Sequence, residues 1–117
     1  MTPASRPSLD LLPGTVALFV LKTLSWGPRH GYGISSWIRQ QTDGQLGLED
    51  AALYQSLHRL ERQGLVRSEW GLSERNRRAK YYALTRAGRA RLAVETSTWR
   101  RYAAAVFQLL DAAPQEG

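Results

Sequence analysis

At 117 residues, with 43% hydrophobic and 22% charged residues, the chain is sized for one small domain with a modest core and is not a disordered segment. The absence of cysteine excludes disulfides and thiolate metal ligands, and two distant histidines, His30 and His58, make no local metal motif, so neither metal nor cofactor is expected. The net charge is +6, and twelve of the sixteen Lys and Arg fall between positions 59 and 101 against four acids, Glu61, Glu69, Glu74 and Glu95, which points to a polyanionic partner: nucleic acid, or alternatively an anionic membrane surface.

Residues 1–13 hold three prolines and lack the apolar stretch of a secretory signal, so they are read as a flexible arm on a cytoplasmic protein. The run VALFVL at 16–21 is far shorter than the ~18 apolar residues of a membrane span. A first helix is predicted from Thr15, whose side chain is placed to cap it, and Gly27–Pro28 ends it. Its body is apolar almost all round (Val16, Leu18, Phe19, Val20, Leu21, Leu24, Trp26) and calls for burial on more than one side, by a partner subunit as well as by its own domain. A second helix carries Ile34, Trp37 and Ile38 at core spacing. Gly31 and Gly33 weaken its first turn, which suggests either a close approach of its N-terminus to another helix or to a phosphate, or a tight loop that needs glycine. Asp43–Gly44 turns the chain, and 46–48 is read as pairing loosely with a later hairpin.

The next helix starts near Glu49 or Asp50 and stops at Gly64. Leu53, Leu57 and Leu60 share one face, leaving Ala51, Gln55, His58, Arg59 and Arg62 on the other with Tyr54 on its flank. One face for a core and one of small, hydrogen-bonding and cationic groups suits the DNA major groove. Residues 65–70 alternate as a strand, with Val66, Ser68 and Trp70 on one side. A loop at 71–79 and a return strand at 80–84 follow, and Arg75, Arg77, Arg78 and Lys80 crowd into six positions. Such a cationic hairpin repels itself and serves no core, whereas phosphate contact uses it. A helix followed by a basic ribbon is the winged version of helix-turn-helix.

Thr85 is expected to cap a final helix, in which Leu92, Thr96, Trp99, Ala103, Val106 and Leu110 step by four and three as a coiled-coil-like seam. The seam is expected to pack on the first helix and on a second copy of the chain. Catalysis is not expected, since no nucleophile–base set or phosphate-cradling glycine loop can be assembled.

Three segments, LLPGTVALFVLKTLSWGPRHGYGI, LYQSLHRLERQGLVRSEW and RRAKYYALTRAGR, together resemble the PadR family of bacterial transcriptional regulators, over residues 11–106. The short tail resembles the branch with a single C-terminal dimerisation helix. The resemblance implies a homodimer whose two winged helices read a pseudo-palindromic operator, usually as a repressor. It also implies DNA contact through Tyr54 and through Arg77, Arg78 and Lys80. Ala52 and Gln55 depart from the family's more usual Ser or Thr and Pro, and Gln55 adds a group able to pair with adenine. Some members bind flat aromatic compounds between paired tryptophans at the dimer centre. Trp99 matches that position, flanked by Thr15 and Val16.

The combined expectation is a mainly α fold with a small β-wing (α+β). Its parts are a winged helix-turn-helix domain at 14–84, a dimerisation helix at 85–111 and a frayed tail at 112–117. Tyr54, Gln55, His58, Arg59, Arg77, Arg78 and Lys80 are the candidate DNA contacts. The candidate dimer interface is Val16, Phe19, Leu92, Trp99, Ala103, Val106 and Leu110, and the candidate effector site Thr15, Val16, Trp99 and Ala103. Partners are double-stranded DNA, a second copy and a small aromatic effector. A scaffold that uses the winged fold without DNA, and a peripheral membrane binder, are the competing classes. The concentrated wing charge argues against the first, and tight dimerisation would argue against the second.

Overall fold

In the computed structural model, residues 9–115 are described. Four helices and one three-stranded sheet follow in the order α1 (Thr15–Thr23), a 3₁₀ turn (Leu24–Trp26), β1 (Arg29–His30), α2 (Gly31–Gln41), α3 (Asp50–Arg62), β2 (Val66–Leu72), β3 (Arg78–Leu84) and α4 (Arg86–Leu110). The fold is a winged helix-turn-helix with a long C-terminal helix, in the α+β class that the hydrophobic patterning predicts.

The core gathers Val20, Leu21 and Leu24 from the first helical segment, Ile34 and Ile38 from α2, and Leu53, Leu57 and Leu60 from α3. The base of the hairpin closes it with Leu65, Val66, Tyr82 and Leu84. These are the faces that the three- and four-residue spacings mark. One expectation fails at α1. Gly14, at φ 84°, is the capping residue, and Thr15 is the first helical residue with its hydroxyl donating back to the Leu12 carbonyl at 2.7 Å. A side-chain cap needs an extended backbone at its own residue, which Thr15 does not have. Within the single chain Trp26 is exposed, with its ring 5.3 Å from that of Trp37 and the Lys22 ammonium 4.5 Å above it.

The sheet order is β1-β3-β2, antiparallel throughout. Its third strand is therefore Arg29–His30, and not residues 46–48, which form no strand. Leu48 is instead buried in the core. At the N-terminal end, residues 9–13 are irregular but not free: the Leu9 amide donates to the Gln45 carbonyl at 2.8 Å, and Leu11 packs against the core. Residues 1–8 of the expected flexible arm lie outside the described residues, as do 116–117 of the tail. Ala112–Gln115 is exposed and without regular structure.

One joint fixes α4 to α3. Gly64, at φ 74°, ends α3, with the Leu65 amide donating to the Leu60 carbonyl and the Gly64 amide to that of Glu61. Thr85 caps α4, accepting from the Gly88 amide at 3.0 Å, while its own hydroxyl donates to the Gly64 carbonyl at 2.6 Å. The Thr85 amide donates to the Leu65 carbonyl at 3.1 Å. Gly88 lies so close to that carbonyl that a Cβ would overlap its oxygen. The Leu-Thr-x-x-Gly segment thus grips the end of α3.

Candidate nucleic-acid interface

The α3 face opposite its buried leucines is open: Ala51, Tyr54, Gln55, His58, Arg59 and Arg62 are all exposed. Ala52, where the resemblance leads one to look for a hydroxyl, is half-buried against the core. Tyr54 does more than face solvent. A Cβ at Gly31 would sit 2.5 Å from the Tyr54 hydroxyl, so the absence of a side chain at 31 is what lets the tyrosine lie across the start of α2. The close approach that Gly31 calls for is therefore to this ring. Gly33 instead donates its amide to His30 Nδ1 at 3.1 Å, the cap of α2.

Gly31→Ala is expected to keep the fold, since the obstructing atom is the far end of a side chain, and to swing the Tyr54 ring outward. The thermal midpoint should stay within a few degrees of wild type while affinity for duplex DNA falls. A lowered midpoint with unchanged DNA affinity would show that the ring serves only packing.

The hairpin is longer than its alternation suggests, with pairing continuing through Trp70↔Lys80 to Leu72↔Arg78. Its tip is a hydrogen-bonded turn. The Asn76 amide donates to the Ser73 carbonyl at 2.9 Å, the Ser73 amide to the Arg77 carbonyl at 2.8 Å, and Asn76 occupies the left-handed region at φ 59°. Residues paired across an antiparallel ladder share a face. The face that buries Val66, Tyr82 and Leu84 at the base therefore continues outward as Lys80, Trp70, Arg78 and Leu72. That face bounds a cleft of about 800 Å³ whose other wall holds Tyr54 and Tyr32, with Arg75 and Arg77 at its rim.

Of the candidate DNA contacts, Tyr54, Arg77, Arg78 and Lys80 thus line one cleft. Gln55, His58 and Arg59 do not line it and extend the same side along α3. Trp70 and Leu72, 59% and 64% exposed, are not among the sequence candidates, although the alternation of 65–70 already sets Trp70 on the core-side face.

The cations of this region form no ion pairs within the described chain, although Glu74 also lines the cleft. Among the described residues the close contacts between basic and acidic side chains are the Arg91–Glu95 ion pair and the approach of His30 Nε2, on a ring whose Nδ1 accepts from Gly33, to Glu74, each at 3.8 Å. Neither involves Arg59, Arg62, Arg75, Arg77, Arg78 or Lys80. Glu61, an obvious partner for Arg59 or Arg62, accepts from the Ser68 hydroxyl at 2.5 Å and ties α3 to β2 instead. At the cleft floor, burial raises the Tyr82 phenol above its ordinary range, with Tyr54 and Glu61 adding to the effect. Tyr82 is accordingly neutral near pH 7 and leaves the positive charge undiminished.

The second group of candidates lies along α4. Val16, Phe19 and Leu92 are half-buried and pack against the core. Trp99, Ala103 and Val106 are half-buried, Leu110 is exposed, and the Trp99 ring stacks on Tyr102 at 5.6 Å. Tyr102, Phe107 and Leu109, outside the predicted seam, are 59%, 61% and 80% exposed. On a helical projection they flank the seam, so the distal half of α4 carries an apolar face wider than a two-position stripe. In the candidate effector site the Thr15 hydroxyl is already engaged by Leu12, and Thr15 is buried beside half-buried Val16. Among the described residues, no cluster of three His, Cys, Asp or Glu is suited to a metal ion, and no helix is long and apolar enough to cross a membrane.

A winged helix-turn-helix with an open basic face defines a class of DNA-binding regulators, and comparison with known proteins narrows it. The family model described as "Transcriptional regulator PadR-like family" matches residues 20–94. The chain belongs to this family. It is similar in structure to a transcriptional regulator from Clostridium thermocellum Cth-833, with TM-score 0.74 and 29% identity over 81% of this chain and 92% of that one. A PadR family transcription regulator from Clostridium difficile R20291 aligns with TM-score 0.73 and 26% identity, covering 83% of this chain and 99% of the other. In sequence the present chain is 38% identical over 85% of its length to an uncharacterised 37.1 kDa protein of transposon Tn4556 from Streptomyces fradiae, of which it spans 26%. The family and its structural neighbours are transcriptional regulators, not enzymes.

Proposed function

We propose that the protein is a homodimeric repressor that binds a pseudo-palindromic DNA operator through α3 and the wing and is released by a small aromatic or hydrophobic effector at the dimer interface. The observation that carries this reading is the group of cations on the wing, unpaired within the described chain, that share a cleft with Tyr54 of α3. Tyr54, Gln55, His58 and Arg59 would meet the major groove, and Arg77, Arg78 and Lys80 the phosphates beside it.

The dimer is supported by the exposed apolar face of distal α4, which a second copy would cover, joining Leu92, Trp99, Ala103, Val106 and Leu110 to Val16 and Phe19. Regulation follows from the joint between α4 and α3. An effector seated near Trp99, Ala103, Thr15 and Val16 would alter the angle between the two α4 helices, and the grip of Thr85 and Gly88 would carry that angle to α3. Half-sites on one side of B-DNA lie about 34–36 Å apart, or a multiple of that, so a small rotation changes the fit. The effector acts only through unequal affinity for the two dimer states.

Footprinting on the DNA upstream of the protein's own gene tests the reading. Two protected, symmetry-related half-sites at helical-turn spacing are expected, and a single unsymmetric footprint would exclude the dimeric mode. Trp99→Ala is expected to weaken self-association in sedimentation and to abolish quenching of tryptophan emission by flat aromatic dyes. Unchanged sedimentation and unchanged quenching would remove Trp99 from both roles.

A further inference from the structure

The wing cations are not equivalent. The Arg78 guanidinium carbon lies 4.5 Å from the centroid of the Trp70 indole. Lys80 is more loosely set, 5.9 Å above the Tyr82 ring, and Arg75 and Arg77 sit exposed in the turn. Trp70 itself serves no core: the buried part of its face ends at Val66, Tyr82 and Leu84, two rungs nearer the base. An indole that is 59% exposed on a wing carries a hydration cost that packing does not offset.

We propose that Trp70 is a positioning residue for DNA binding: its ring face holds the Arg78 guanidinium toward the cleft so that the N–H edge is free to grip a phosphodiester. This rests on the DNA-binding reading above. Stacking uses the planar face of the guanidinium and leaves its five N–H donors in the plane, in the fork that matches two phosphate oxygens. A long arginine otherwise loses rotamer freedom on contact, and the platform removes part of that loss beforehand. Leu72, paired with Arg78 across the ladder, closes the outer side of the same face.

Because a phosphate contact is independent of sequence, a random duplex suffices as the probe. Wild type, Trp70→Ala, Trp70→Phe, Arg78→Ala and the Trp70→Ala/Arg78→Ala double variant are titrated with it at several salt concentrations, and thermal midpoints are recorded alongside. Trp70→Ala is expected to bind roughly tenfold more weakly, counting both wings of a dimer, with the salt slope and the thermal midpoint unchanged. Trp70→Phe should recover most of the affinity. In the Arg78→Ala background, Trp70→Ala should add nothing.

Full additivity of the two alanine variants, equal weakness of Trp70→Phe and Trp70→Ala, or a Trp70→Ala variant as tight as wild type would each overturn the assignment while leaving the DNA reading intact. Wild-type protein that fails to bind duplex even at low salt would overturn the DNA reading and this assignment with it.

Discussion

Arg77→Ala combined with Arg78→Ala is expected to weaken binding of every duplex by about 10³-fold at physiological salt and to flatten its salt dependence. In the proposed dimer the double substitution removes four guanidinium groups. If each neutralises one phosphate, the slope of log affinity against log salt falls in magnitude by about 3 to 4, since each contact contributes roughly 0.9. Both side chains are exposed and neither has an ion-pair partner among the described residues, so the fold loses little and the thermal midpoint should hold. Operator and random DNA should lose affinity in parallel, because phosphate contacts position without reading sequence. Loss confined to the operator would move these arginines from the backbone to the base edges.

The largest effect on folding is expected at Gly88, a position without charge or hydrophobic area. Alanine there places its methyl group into the Leu65 carbonyl oxygen, a backbone atom that also accepts the Thr85 amide and cannot swing aside as a side chain can. Either α4 lifts from the end of α3 or the Gly64–Leu65 turn opens, at a cost of about 3 kcal/mol or more. For a chain of this size the thermal midpoint should fall by more than about 10 °C. A midpoint within 2–3 °C of wild type would mean that α4 is not clamped to α3, and the proposed route from dimer interface to DNA face would lose its rigid link.

Helix faces were legible where periodicity was strong. The triad Leu53, Leu57 and Leu60 is buried, and Thr85 and Gly64 bound their helices as their residue types predict. What sequence hid was mostly contact between distant elements. A two-residue strand at Arg29–His30 has no period to detect, whereas the apolar residues at 46–48 suggest loose pairing with the hairpin and Leu48 answers to the core instead. Thr15 carries the right chemistry for a cap one position too late. Gly31 declared a need but not its object, because the Tyr54 ring arrives from another helix 23 positions on. Trp26 belongs to the apolar run yet is exposed in the single chain, because it stands two residues past buried Leu24 and so on the opposite side of the helical segment.

The wing shows a subtler gap. Charge marks Arg75, Arg77, Arg78 and Lys80 but not Trp70, whose alternation with Val66 and Ser68 puts it on the face that the structure turns toward the cleft. Likewise the two-position seam on α4 missed Tyr102, Phe107 and Leu109, because a template with two apolar positions in seven is narrower than the face that the helix exposes.

Competition between the DNA upstream of the protein's own gene and random duplex, titrated across salt, tests the central claim most directly. A sequence-reading regulator predicts a preference for its own upstream DNA of at least about 10³-fold that persists as salt rises, with total affinity falling steeply. Weak and equal binding to both, lost together with salt, would contradict it and reduce the wing and α3 to a basic surface.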